Sequence, residues 1–136
     1  MTIAQALSQS SAWKPGPFTG ADKTAWLSQL DGQIDAELIR THEGAPEEEF
    51  APYTAETDAD TELIAPAPYD KMYVTFLMAQ MDFYAADYDK FNNMQRRFEA
   101  EYQEFASWYN RRHMPLGAGI AVGKAGGNLP WPKELT

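Results

Sequence analysis

The chain has no cysteine. That excludes disulfides, thiolate metal centres and thiol nucleophiles together. Histidine is nearly as scarce: His42 and His113 are the only two, and neither sits in the His-x-x-x-His or His-Glu-x-x-His spacing that holds zinc. Both fall at expected helix ends, so capping or surface roles are expected. Long apolar runs are missing as well, with no stretch near the ~18 residues of a membrane span. The first seven residues lack the basic region and apolar core of a signal sequence. A soluble protein made in the cytoplasm, with no membrane partner, is the expectation. Basic residues are few: 11 Lys and Arg stand against 20 Asp and Glu, for a formal charge of -9. Duplex binding needs clustered Lys and Arg, so the charge argues against a duplex-binding protein.

Two strings come close to known chemistry and miss. Asp58-Ala59-Asp60-Thr61-Glu62 opens like a calcium loop, but its sixth position is Leu63 and its twelfth is Tyr69, where glycine and glutamate are needed. Ala118 to Ala125 nearly spells a phosphate-binding loop, yet its first glycine and its magnesium-binding Ser or Thr are both alanine, and no strand precedes it. No nucleophile and base pair up. The reading is therefore no enzyme: no catalytic residue, no metal, no cofactor.

What the chain has is helical periodicity. At 136 residues, 44% hydrophobic and 23% charged, it is one globular domain able to bury about two-thirds of its unfolded surface. Trp26, Leu27, Leu30, Ile34, Leu38 and Ile39 form a stripe from Asp22, an expected N-cap, to Gly44. Gly32 inside it marks a kink or the close approach of another backbone. A second helix is expected from about Pro68 to Phe91, a turn at Asn92-Asn93, and a third helix to about Arg112. So short a connection makes these two antiparallel neighbours. Tyr73, Phe76, Leu77, Tyr84, Phe98, Phe105 and Tyr109 should form the core between them. Met72, Met78, Met81, Phe83 and Trp108 fall off the main stripes and suggest a second apolar face turned to a neighbour.

The flanks read differently. Residues 1–21 end in Lys14-Pro15-Gly16-Pro17 and are expected to be an extended arm with at most a turn of helix, stapled by Trp13 and Phe18. Residues 43–62 hold eight acids, no Lys or Arg, and Pro46 and Pro52, which predicts an exposed acidic loop within a helical domain of residues 22–113. Residues 114–136 are rich in Gly and Pro and predict an extended tail that ends in Leu129-Pro130-Trp131-Pro132. The fold class is all-α, a small antiparallel helical bundle.

Several strings, in order, resemble a known family: Leu30-Asp31-Gly32-Gln33-Ile34, Arg40-Thr41-His42-Glu43-Gly44, Asp60 to Asp70 with Tyr73, Phe91-Asn92-Asn93, and Tyr109-Asn110-Arg111-Arg112-His113-Met114-Pro115. Over residues 26–115 the chain resembles the small head-tail connector, or adaptor, proteins of long-tailed bacteriophages and prophages. Position 91 is Phe where that pattern has tyrosine. The resemblance implies an all-helical structural subunit of the virion neck, assembled as a homo-oligomeric ring, as a rule a dodecamer, below the portal protein. It implies a neck, stopper or tail protein as the second partner, and DNA passing through the channel without specific binding. It also implies that the C-terminal segment reaches the portal, which makes Leu129, Pro130, Trp131 and Pro132 the expected portal contacts. Glu47, Glu48, Glu49, Asp58 and Asp60 would face the channel or a partner, where like charge avoids trapping phosphates. The alternative is an acidic DNA mimic that inhibits a nucleic-acid-binding protein. That role needs acids spread in phosphate-like rows, whereas here they gather in one segment.

Overall fold

The computed structural model describes residues 1–117. Four helices build it: α1 (Ile3–Trp13), α2 (Gly20–Ile34), α3 (Lys71–Tyr84) and α4 (Tyr88–Arg112). The chain is all-α, with two isolated β-bridges that join Thr2 to Glu62 and His42 to Pro115.

Helix α1 replaces the expected N-terminal arm. Thr2 and Gln5 close a capping box, each side chain bonded to the other's backbone N–H, which satisfies two of the free donors of a helix start. Carbonyls of a distant loop take others: Ile3 N donates to Thr61 O at 3.1 Å and Ala4 N to Ala59 O at 2.9 Å. Ile3, Ala6 and Ser10 turn inward at steps of three and four, so α1 is part of the core. Trp13, expected to staple this segment, is exposed, while Phe18 packs edge-on against Trp26 at 5.4 Å.

Helix α2 starts three residues before the expected cap. Thr19 is the N-cap and Asp22 is the acid of its capping box. Leu27, Leu30 and Ile34 are buried as the stripe requires, and the helix then widens into a π turn over Asp35–Ile39, where Arg40 N reaches Asp35 O. At Gly32 the near neighbour is the Phe50 ring rather than a backbone, 3.5 Å from where a Cβ would stand. Gly44 carries a φ of +84, a conformation glycine adopts without penalty.

The long aromatic pattern is broken where no turn was expected. α3 ends at Tyr84, Ala86 sits at φ +62, and Asp87 caps α4 through Lys90 N. Asn92 and Asn93 lie inside α4, exposed, and make no turn. The two helices pair antiparallel as expected. Tyr69 meets Trp108 at 5.2 Å, Phe76 meets Phe98 at 5.1 Å and Phe83 meets Phe91 at 5.2 Å, so the paired numbers fall on one side as they rise on the other.

Tyr73, Leu77, Phe98, Phe105 and Tyr109 are buried in this core and Phe76 is half-buried. Tyr84 is not: it is 60% exposed. It is the last residue of α3, where the Trp26 ring of α2 stacks on it at 5.5 Å and leaves the rest of the side chain open. Met72 and Met81, read as facing a neighbour, are buried in the chain's own core. α1 and α2 pack on α3 as well as α4, and a helix with several neighbours is apolar over more than one face.

Candidate functional site

Polar groups inside the bundle gather in two knots. In the first, Asp31 is fully buried on α2, one residue from Leu30 and on the same stripe as Leu27 and Ile34. Its Oδ1 accepts from the Tyr73 hydroxyl at 2.6 Å, and its Oδ2 from the Tyr53 hydroxyl at 2.6 Å and from Ile64 N at 3.1 Å. Tyr73 in turn accepts from Ala65 N at 2.8 Å. Among the described residues no Lys, Arg or His side chain takes part. Removal from water raises the Asp31 pKa, and the bonds from Tyr53, Tyr73 and Ile64 oppose that shift. Burial and the nearby Asp31 carboxylate push both tyrosine hydroxyls up as well. The knot ties α2, α3 and the segment between them into one unit.

The second knot is His42, buried rather than at the surface. Its Nδ1 lies 2.6 Å from Leu38 O and its Nε2 bonds Asn110 Oδ1 on α4. Tyr109 stands edge-on to His42 at 5.3 Å and stacks on His113 at 3.9 Å. Glu43 N donates to Met114 O and Leu116 N to Thr41 O, so the chain leaves α4 as a short bracket held against the end of the π turn.

Elsewhere, Lys14 Nζ bonds Asp82 Oδ1 at 2.8 Å and holds the end of α1 to α3. Asp82 Oδ2 and Glu101 Oε1 are buried without a partner among the described residues. Among those residues, no group of three His, Cys, Asp or Glu could hold a metal ion. No helix there is long and apolar enough to cross a membrane.

Exposed groups form the second half of the site. Glu47, Glu48, Glu49, Asp58 and Asp60 are all exposed, as expected. Their segment is nevertheless a strap: Arg40 pairs with Asp35 and donates to the carbonyls of Pro46 and Glu48, Tyr53 N donates to Ser28 Oγ at 3.0 Å, and Leu63 and Ala65 are buried. At the α3–α4 turn lies an aromatic array of which sequence reasoning placed Tyr84 in the core and turned Phe83 toward a neighbour. Phe83 is 42%, Tyr84 60% and Tyr88 57% exposed. Trp26 stacks flat on Tyr84 at 5.5 Å, and Phe83 sits against Tyr84, Tyr88 and Phe91. Leu129, Pro130, Trp131 and Pro132 lie outside the described residues.

Sequence reasoning did not single out Asp31 as a buried, bonded position. The signal was there: an acid on the apolar stripe, four residues after Leu27, must be buried and bonded. Comparisons with protein-family models, with curated proteins and with solved structures find no match.

Proposed function

We propose that this protein is a structural connector of a bacteriophage or prophage virion, a ring-forming adaptor that joins the portal of the DNA-filled head to the neck or tail. The observation that carries the reading is the uncovered aromatic end formed by Phe83, Tyr84 and Tyr88, on a bundle whose buried polar groups serve its own cohesion. A connector needs two docking ends. The aromatic turn is at the N-terminal end of α4, and the Met114–Leu116 segment is at the other end; 25 residues of α4 separate them by roughly 37 Å at 1.5 Å per residue. The strings that resemble the connector family supply Asp31, Tyr73, Ile64, His42 and Asn110 to the two knots, a structural use that suits a protein without a reaction. Exposed acids on one strap suit a DNA path better than they suit a decoy.

Two variants separate the two ends. Trp131→Ala should leave the melting temperature unchanged and abolish co-sedimentation with portal complexes. Tyr84→Asp with Tyr88→Asp should keep portal binding and lose the tail-side partner. Undiminished assembly of heads with tails by both variants would contradict the connector reading.

A further inference from the structure

An apolar groove lies between α2, α3 and α4. Leu30, Phe76, Phe98 and Tyr102 form its floor, and its volume is about 350 Å³. Two amide–carboxylate pairs stand at its rim: Gln33 Nε2 donates to Glu37 Oε1 on one side, and Gln95 Nε2 to Glu99 Oε2 on the other, each at 3.2 Å. Glu37 and Glu99 are exposed, and neither has a Lys or Arg within ion-pair distance among the described residues. The Glu37 charge is felt inside the groove, where it adds to burial in raising the Tyr102 hydroxyl pKa. Such a groove suits an apolar side chain flanked by cations.

The chain presents that chemistry at the end of α4. Met114 is 50% and Leu116 60% exposed, directly after Arg111 and Arg112, which are exposed and form no ion pair among the described residues. The bracket is already ordered, since Glu43 N holds Met114 O at 2.8 Å and Thr41 O holds Leu116 N at 2.9 Å. A preordered segment loses little freedom on docking. Those same bonds hold it against the end of its own π turn.

We propose that the Arg111–Leu116 bracket of one copy docks in the Leu30–Phe76–Phe98 groove of a second copy. Met114 and Leu116 meet the apolar floor, and Arg111 and Arg112 face Glu37 and Glu99. The two surfaces differ, so the contact is head-to-tail and repeats from copy to copy until the rotation closes it. This inference rests on the ring-forming reading above and supplies its lateral contact.

Sedimentation of the full chain tests it with two surface variants, Leu116→Asp and Glu99→Lys. The wild type should assemble, and each variant alone should be monomeric with an unchanged melting temperature. An equimolar mixture of the two should return to a dimer, because the first keeps an intact groove and the second an intact bracket. A monomeric wild type, a variant that assembles like the wild type, or a mixture that stays monomeric would overturn the proposal. So would loss of assembly on Tyr88→Asp alone, which would put the aromatic turn in the contact instead. Variants that still form rings and bind portal remove the lateral contact and leave the connector role standing. A wild type that assembles through this contact but ignores portal does the reverse.

Discussion

Asp31 is a buried carboxylate held by two phenols and one amide. Its bonds are charge-assisted, which makes each stronger than a neutral pair. Tyr73 is the hinge of the arrangement because its hydroxyl both accepts from Ala65 N and donates to Asp31. Tyr73→Phe should therefore cost about 1–3 kcal/mol, the penalty of a buried donor left unmade, read from urea unfolding. Stability should also depend on pH through Asp31. Its folded pKa is raised by desolvation above the ordinary 3.8, so its contribution is full below that value and is lost as pH rises through the folded pKa. The stability difference between the wild type and Asp31→Asn should shift against the wild type as pH increases across that window and then level off. A difference that grows in favour of the wild type would mean that the three hydrogen bonds outweigh desolvation.

At the scale of elements, the turn between α3 and α4 leaves its aromatic side chains exposed. Ala86 holds φ +62, a left-handed conformation that costs a residue with a Cβ roughly 1–2 kcal/mol. Ala86→Gly removes that cost and adds about 0.5–1 kcal/mol of unfolded-state entropy loss, so a net change from none to a gain of about 1.5 kcal/mol is expected in thermal melts. Lower stability would contradict the left-handed turn at Ala86. Sequence periodicity reveals α2 and the α3–α4 pairing because their apolar residues recur at three and four. It hides this turn for the same reason: Tyr84, Tyr88 and Phe91 keep the helical step straight across it, and Ala85-Ala86 is a helix-favouring pair. Only Asp87, as a cap, signals the break. α1 is hidden because its first amides are satisfied by Ala59 and Thr61, partners far along the chain. The exposed acids are legible from charge and proline alone, whereas the aromatic end is not, since core and interface use the same residues.

At the scale of the molecule, the bundle has an apolar interior shared by all four helices, an acidic strap pinned across α2, and aromatic side chains left uncovered at one end. A chain with a formal charge of -9 repels phosphate on average, which suits a wall that DNA passes rather than a site that holds it. The central claim is that this fold is one copy in a ring that bridges two larger assemblies. The most direct measurement is the mass and shape of the purified full chain, alone and mixed with portal complexes, by sedimentation and electron microscopy. The account predicts a closed ring that moves with the portal and caps its lower face. A monomer that remains free of portal and instead binds a nucleic-acid-binding protein would contradict it.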